Sequence, residues 1–468
     1  MQFDSLSFLL FFGLVVAAAA AVRSWSARKS LLLVASYAFY GAWSPAFVLL
    51  LAASSLLDWL LARAMSGRRS PTARRTLLVV SLVANLGVLA FFKYAAFLHD
   101  TLAWMLLPLG IELPSWRWSL VLPVGISFYT FQSLSYTIDV YRRKVEPIAS
   151  LRDFCLFVAF FPQLVAGPIV RYETFAPQLA SARKPSRAAL CSGGVWILWG
   201  LFEKVVLADT VFAGPVDSAW EHLSTASATT ALVAILGFAG QIFCDFAGYS
   251  CCAIGAARCL GFELPRNFMN PYAAIGFRDF WRRWHISLST WLRDYLYIPL
   301  GGGRGGRLAT VRNLFITMLL GGLWHGAGWN FVLWGGAHGV LLALERQVVG
   351  GRATAGRAAH RLSRLAWGGL TLACVVLLWV PFRAPDAAST GAMLSALGGT
   401  WSRPDLGGLL VLATFVLMLA VQWLARDDGI DELLARTPDG LLATVLAALI
   451  VLIVLSPGDN HAFIYFQF

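Results

Sequence analysis

The sequence places one histidine, His325, in the apolar run Leu-Leu-Gly-Gly-Leu-Trp-His-Gly-Ala-Gly-Trp. An ionisable side chain in such a setting is costly and needs a partner or a task. A neutral imidazole can take a proton from an attacking hydroxyl group, so His325 is a candidate general base for acyl transfer. The alternative is a buried imidazole that hydrogen-bonds between helices. The surrounding glycines predict a helix break that lets a ligand approach the backbone: Gly321, Gly322, Gly326 and Gly328.

A second histidine, His285, lies in a segment that is both aromatic and basic. The apolar residues of this segment recur at helical spacing and predict one apolar helix face: Phe277, Phe280, Trp281, Trp284, Leu288, Trp291, Leu292 and Tyr295. Its arginines suit a helix that lies in the plane of the cytoplasmic interface: Arg278, Arg282, Arg283 and Arg293. Together with His285, residues such as Arg282 and Trp284 could hold an anionic donor that carries phosphate groups. The alternative is plain interfacial anchoring.

A third candidate is Asp245, in Gln-Ile-Phe-Cys-Asp-Phe-Ala-Gly-Tyr near the end of an apolar run. An acid inside a membrane segment is a functional-site hypothesis by default. The alternatives are a capping role or pairing with an arginine of the next segment.

His338, further along the chain than His325, is expected to be structural or orienting. The cysteines lack Cys-x-x-Cys spacing, so no metal site is predicted.

The elements that must position these residues are membrane helices. Hydrophobic residues make up 58% of the chain against 13% charged residues, a balance far from that of a soluble protein. Long apolar stretches recur along the whole sequence, which predicts an all-α polytopic membrane protein. The net charge of +12 comes from arginines that cluster between these stretches. Such basic loops are topology signals, so a nucleic-acid partner is not expected, whereas membrane lipids are.

Placing the basic loops in the cytoplasm gives between about 11 and 13 membrane-embedded helices and puts both termini on the extracytoplasmic side. One Pro/Gly-broken apolar segment, residues 154–170, has basic loops on both sides and predicts a re-entrant hairpin. Irregular backbone at that depth must lie inside protein or against a water-filled cavity, which implies a central cavity. We expect a single domain, with N-terminal spans in residues 1–118, a catalytic core in 119–346 and C-terminal spans in 347–468.

Four stretches of the chain resemble the membrane-bound O-acyltransferase family, most closely its bacterial alginate O-acetylase branch. Two lie in the first half of the chain, from Leu122 to Gln132 and from Phe160 to Ile169. The other two are more specific: Trp-Arg-Arg-Trp-His-Ile-Ser-Leu-Ser at 281–289, followed by 293–302, and Gly-Leu-Trp-His-Gly at 322–326. Together they extend over most of the chain.

The resemblance implies that the two family histidines fall on His285 and His325, with His325 the essential one. It implies that acetyl-CoA is the acyl-donor substrate on the cytoplasmic side of a bacterial inner membrane. The acetyl group would cross to the periplasmic face, where a separate periplasmic or membrane-anchored acetyltransferase places it on a polysaccharide. Alginate or a similar exopolysaccharide is the expected acceptor, and peptidoglycan or cellulose is the alternative. From another functional class, a transporter or exporter would also carry broken helices and ionisable groups.

Two further features bear on the resemblance. The C-terminal Phe-Ile-Tyr-Phe-Gln-Phe resembles the tail of a small helper protein in teichoic acid D-alanylation, which makes Tyr465 a candidate acyl relay. An aromatic anchor at the membrane interface is the alternative.

After Phe-Ala-Gly-Tyr-Ser the family usually carries an acidic residue, where this chain has Cys251. That departure leaves Asp245 as the only carboxylate expected nearby.

Overall fold

The computed structural model describes residues 1–67, 70–116, 120–181, 184–349, 359–456 and 463–464. Throughout these ranges the regular secondary structure is helical, without a strand, so the all-α prediction is confirmed. The chain divides into two compact units, Met1–Gly194 with Ala253–Pro265, and Val195–Cys252 with Arg266–Phe468. Both predicted catalytic histidines belong to the second unit. The single domain with three segments stays a prediction.

Several helices are long and apolar enough to cross a membrane. Six meet both conditions within the part of the chain that the structure describes: Pro45–Met65, Pro71–Leu109, Arg187–Glu221, Ala228–Cys259, Arg364–Arg383 and Leu406–Leu424. Two shorter apolar helices are Leu6–Ala21 and Asp439–Leu455. The protein is therefore a multi-pass membrane protein. The count of about 11 to 13 embedded helices and the central cavity remain predictions.

Among its described residues, the first unit contains these α-helices in chain order: α1 (Leu6–Ala21), α2 (Trp25–Gly41), α3 (Pro45–Met65), α4 (Pro71–Leu89), α5 (Ala95–Leu106), α6 (Ile126–Tyr141), α7 (Leu151–Ala159), α8 (Phe161–Leu164) and α9 (Tyr172–Ala180). The predicted re-entrant segment comprises most of α7, the single turn α8 and the bend after it. All of residues 154–170 are buried by protein. The irregular backbone is thus buried inside protein, which is one of the two environments in which non-helical backbone is tolerated at membrane depth.

A buried carboxylate joins three helices of this unit. Asp58 of α3 is fully buried and accepts hydrogen bonds from Ser81 Oγ at 2.6 Å and Asn85 Nδ2 at 2.9 Å, both on α4. Ser133 Oγ of α6 is a third donor to Asp58. A buried charge is tolerated only when such donors replace water. This cluster was not predicted, although an acid inside an apolar run is a recognisable signal.

The second unit holds the site. It contains α10 (Arg187–Leu201), which begins in the first unit, and a π-helix, Phe202–Ala213. The remaining helices are α11 (Gly214–Glu221), α12 (Ala228–Cys259, ending in the first unit), α13 (Phe277–Arg283), α14 (Ile286–Leu292), α15 (Gly306–His325), α16 (Trp329–Val349), α17 (Ala359–Arg383), α18 (Ala387–Ala396), α19 (Leu406–Leu424), α20 (Ile430–Arg436) and α21 (Asp439–Leu455). A second π-turn, Arg293–Tyr297, follows α14.

The prediction of one continuous amphipathic helix from Phe277 to Tyr295 is wrong. α13 ends at Arg283 and α14 begins at Ile286, so the helix breaks at Trp284 and His285. Trp284 is extended and His285 is left-handed, which stops the helical hydrogen-bond ladder. The apolar periodicity is real, but it is divided between α13, α14 and the turn of π-helix at Arg293–Tyr297.

Glycines let α15 and α16 pack backbone against backbone. A Cβ added to Gly335 would overlap the carbonyl oxygen of Met318, and one on Gly322 would overlap that of Phe331. Small residues at such contacts are the usual way for membrane helices to approach closely. The predicted role of Gly322, to admit a ligand, is therefore not what the packing shows: it admits the neighbouring helix. The turn between the two helices leaves His325 as the last residue of α15.

We predict that Gly335→Ala lowers the thermal stability of the detergent-solubilised protein, because the added methyl group meets a backbone carbonyl that cannot move aside. The expected loss is about 1–3 kcal/mol, typical of overpacking. Gly336→Ala is the matched control, since its Cβ would lie 3.6 Å from Phe315, at an ordinary contact distance. Thermal unfolding followed by size-exclusion chromatography measures both. Equal midpoints for the two variants would contradict the close-packing argument.

Candidate active site

His325 ends α15 and is almost fully buried, with 3% of its surface exposed. The helix stops there because Gly326 is extended, with φ −157° and ψ 151°. The imidazole is enclosed by aromatic rings: the Trp334 ring centroid lies 5.1 Å away and that of Phe382 5.4 Å, both edge to face. These rings exclude bulk water from the imidazole, which strengthens electrostatic effects on any reacting group beside it.

His285 lies between α13 and α14 and is fully buried. Its backbone is left-handed, with φ 41° and ψ 56°, a conformation uncommon for any residue other than glycine. The following residues are clamped by Asn267: Ile286 N–H donates to the Asn267 carbonyl oxygen at 2.9 Å, and Ser287 Oγ donates to Asn267 Oδ1 at 2.6 Å. Asn267 in turn donates to Ser250 Oγ of α12 at 3.1 Å. Strained backbone held by such bonds is common at functional sites.

The structure brings the two predicted catalytic histidines together. The ring centroids of His285 and His325 are 6.3 Å apart, and the Trp324 ring lies 5.8 Å from His285 and 5.0 Å from His325. Burial lowers the pKa of His285 to about 3, so this imidazole is neutral at neutral pH. A neutral imidazole can donate one hydrogen bond and accept another. With the His325 ring beside it, the pair has the geometry to orient a hydroxyl group and take its proton.

His338 is enclosed by aromatic side chains. Its ring is 4.8 Å from Trp334, 5.1 Å from Trp281 and 6.1 Å from Phe280, with which it stacks. Within the described part of the chain, neither of its ring nitrogens has a hydrogen-bond partner. The Trp334 ring contacts both His338 and His325. The structural or orienting role expected for His338 from the sequence stays a prediction.

The two residues proposed to support His285, Arg282 and Trp284, have different environments. Arg282 is exposed on α13 and is placed where an anionic ligand can reach it. Trp284 is fully buried, and its ring centroid lies 5.7 Å from that of Phe280 and 4.8 Å from that of Trp379. It therefore packs in the interior and supports these aromatic rings. The neighbouring Arg283 is also buried and serves the fold.

Arg283 fixes α13 to the chain after α19. Its Nε lies 3.0 Å from Asp279 Oδ1 and its Nη2 lies 2.6 Å from Asp427 Oδ1. Its Nη1 donates to the carbonyl oxygens of Met269 and Arg426. Of the two adjacent arginines in Trp-Arg-Arg-Trp, Arg282 is therefore a surface cation and Arg283 a structural one. Sequence spacing alone does not distinguish them.

Asp245 of α12 is 2% exposed and is part of a buried ionic cluster. Lys204 Nζ lies 2.8 Å from Asp245 Oδ1 and 2.8 Å from Asp209 Oδ1. Lys204 precedes α12, so this pairing replaces the arginine of the next segment that the sequence suggested. Asp245 Oδ2 accepts a hydrogen bond from the Ile464 N–H at 2.8 Å.

The expectation that Asp245 is the only carboxylate near Cys251 is wrong. Glu203, in the π-helix, is buried and lies within hydrogen-bonding reach of Cys251. Sequence reasoning missed Glu203, Lys204 and Asp209, although Glu203 and Lys204 fall inside a predicted apolar span. Ionisable residues in such a span were the signal that could have identified them.

The candidate relay Tyr465 lies outside the described residues. The two tail residues before it, Phe463 and Ile464, are described and buried. The Phe463 ring centroid lies 4.9 Å from that of Tyr249 and 5.7 Å from that of Phe246. This part of the tail is therefore packed into the second unit.

A model of the membrane-bound O-acyltransferase family matches residues 80–378, which include His285 and His325. The chain belongs to this family. It is accordingly an O-acyltransferase, and the transporter alternative is set aside. The resemblance noted from the motifs is confirmed over most of the chain.

Three relatives illustrate the range of acceptors within the family. The chain is 42% identical over 404 residues to a probable alginate O-acetylase, AlgI, of Pseudomonas aeruginosa, covering 83% of this chain and 75% of that protein. It is 34% identical over 401 residues to a peptidoglycan O-acetyltransferase of Helicobacter pylori, covering 79% and 74% respectively. A teichoic acid D-alanyltransferase of Bacillus subtilis is 29% identical over 232 residues, which cover 47% of this chain and 58% of that protein.

We predict that His285→Asn preserves the fold better than His285→Val. Asparagine adopts the left-handed conformation with little strain, whereas a β-branched residue is a genuine outlier there. The expected difference in stability is about 1–2 kcal/mol, the cost of a left-handed backbone for an ordinary residue. Thermal unfolding in detergent measures it, with the wild type as reference. A valine variant as stable as the asparagine variant would show that the backbone at this position is not strained.

Proposed function

We propose that this protein takes acetyl groups from acetyl-CoA on the cytoplasmic side of a bacterial inner membrane and delivers them for O-acetylation of an extracytoplasmic polysaccharide. The observation that carries the proposal is the pair of buried imidazoles, His285 and His325, with ring centroids 6.3 Å apart. Both termini are placed in the periplasm, as the basic loops favour.

In the proposed mechanism, His325 is the general base. It takes the proton from an acceptor hydroxyl group as the oxygen attacks the thioester carbonyl carbon of acetyl-CoA. A carbon–oxygen bond forms, the carbon–sulfur bond breaks, and the proton passes from His325 to the departing CoA thiolate. His285 orients the reacting group by a hydrogen bond from its neutral ring. The aromatic shell of Trp334 and Phe382 keeps water from competing as the acceptor.

Exposed arginines support the proposed donor. Arg278, Arg282 and Arg293 are exposed on the segment that carries His285. Guanidinium groups bind phosphate oxygens in a two-pronged geometry, and CoA carries several phosphates. In this arrangement the CoA phosphates contact the surface arginines while the pantetheine arm carries the acetyl group inward toward His325.

The relatives support a polysaccharide acceptor, most directly alginate or a similar exopolysaccharide, because the probable alginate O-acetylases match most of the chain. Peptidoglycan is the second candidate, because the peptidoglycan O-acetyltransferase matches 79% of it. The partner in either case is a periplasmic or membrane-anchored acetyltransferase that completes the transfer. Tyr465 is the proposed relay, whose phenol oxygen takes the acetyl group from acetyl-CoA and passes it on.

We predict that His325→Ala lowers acetyl transfer by about a hundredfold to ten-thousandfold, the usual contribution of a general base. The measurement uses purified protein with radiolabelled acetyl-CoA, and follows CoA release and label transfer to a periplasmic fraction. His222→Ala is the matched control, since His222 is exposed and its ring Nδ1 donates to the Ser218 carbonyl oxygen at 2.9 Å, away from the histidine pair in the sequence. Wild-type turnover in a correctly folded His325→Ala variant would overturn the mechanism.

Arg282→Ala is expected to raise the KM for acetyl-CoA by about threefold to tenfold, the loss of one charge-assisted contact to phosphate. The kcat should change little, because the guanidinium does not touch the reacting atoms. Arg403→Ala, which removes an exposed arginine from the predicted opposite side of the membrane, should leave KM at the wild-type value. Raising the salt concentration should reduce the difference between Arg282→Ala and wild type. Identical KM values for both variants would place the donor elsewhere.

A further inference from the structure

A buried acid holds the backbone of the last described residues of the chain inside the second unit. Ile464 N–H donates to Asp245 Oδ2 at 2.8 Å, and both residues are at most 5% exposed. A backbone N–H buried away from water must find an acceptor, and a carboxylate is a strong one. The contact therefore joins the C-terminal tail to the middle of α12.

The carboxylate that receives this bond is itself fixed by a cation. Lys204 Nζ lies 2.8 Å from Asp245 Oδ1, which leaves Oδ2 directed to the tail. Lys204 also lies 2.8 Å from Asp209 Oδ1. Lys204 and Asp209 are five residues apart in the π-helix Phe202–Ala213, the spacing that a π-helix brings to one face. One cation thus orients two buried acids.

The same tail segment reaches the histidine pair through two rings. Phe463 packs against Phe246, with centroids 5.7 Å apart, and Phe246 meets the His285 ring edge to face at 4.7 Å. Phe246 directly follows Asp245 in the chain. The hydrogen bond and the ring contact therefore fix two consecutive tail residues, Phe463 and Ile464, against two consecutive residues of α12. One of these α12 residues, Phe246, is in direct contact with His285.

We propose that Asp245, oriented by Lys204, is a positioning residue that anchors the C-terminal tail beside the histidine pair. Its task is to hold the tail backbone. The inference rests on the proposed function in one respect: Tyr465, the candidate relay, is the residue that follows Ile464 in the chain. A tail released from Asp245 would no longer hold Ile464, the residue before Tyr465, in its buried position.

The test removes either partner of the hydrogen bond in the full-length protein. Asp245→Asn keeps the shape but has a single accepting oxygen, which pairs with Lys204, so that the amide NH2 group faces the Ile464 N–H and cannot accept its hydrogen bond. Ile464→Pro deletes the donating N–H. Their controls are Asp217→Asn, which neutralises an acid whose Oδ1 lies 2.8 Å from Arg383 Nη2, and Ile464→Val, which keeps the N–H. Hydrogen–deuterium exchange of the C-terminal peptide reports on the tail without any need for activity.

We expect exchange of the C-terminal amides to rise at least tenfold in Asp245→Asn and in Ile464→Pro, and to stay at the wild-type rate in both controls. The double variant should add little to either single change, because both remove one interaction. Unchanged protection in the two test variants, with correct folding shown by size-exclusion chromatography, would overturn the anchor.

A second readout separates the anchor from the proposed function. With acetyl-CoA as substrate, the test variants should keep the wild-type KM for the donor and lose at least tenfold in kcat for transfer to the periplasmic fraction. If the tail is released but transfer persists at the wild-type rate, the anchor exists and has no positioning role in the reaction. If no variant, including wild type, transfers acetyl groups, the proposed function fails while the exchange result still decides the anchor.

Discussion

The cost of burying ionisable groups in an apolar protein is the constraint on which this structure depends. A charge or an imidazole away from water must be paired, hydrogen-bonded or kept neutral. Asp58 meets this condition with hydroxyl and amide donors from two other helices, and Asp245 meets it with Lys204 and a backbone N–H. His285 meets it by remaining neutral within a ring of aromatic side chains. Each solution ties together segments that are distant in the chain.

The histidine pair shows how the same constraint produces a site. His325 is positioned by a helix hairpin whose backbones touch, because Gly322 and Gly335 carry no side chain. His285 is positioned by a left-handed residue that Asn267 holds on its C-terminal side. Neither the glycines nor Asn267 react, yet together they hold the two imidazoles with their ring centroids 6.3 Å apart. Rigid supports of this kind are what hold reacting groups in a productive geometry.

Prediction from sequence succeeded where local pattern and burial agree. The apolar stretches identified the helices, and the isolated His325 among glycines and tryptophans identified a centre that the fold buries. It failed where one periodic pattern is compatible with two backbones: the segment from Phe277 to Tyr295 has the spacing of one helix and forms two. The break is decided by Asn267 and by Arg283 with its partners, contacts that no local pattern contains.

The sequence by itself determined the membrane class, the helical fold, the family and the two histidines, because hydropathy and motif spacing are properties of neighbouring residues. Only the tertiary structure decided what those residues meet. It separated Arg282 from Arg283, brought Glu203 to Cys251 and paired Asp245 with Lys204 and the tail. The physical reason is that electrostatic and packing energies depend on distances across the fold, and residues far apart in the chain acquire those distances only when the helices pack.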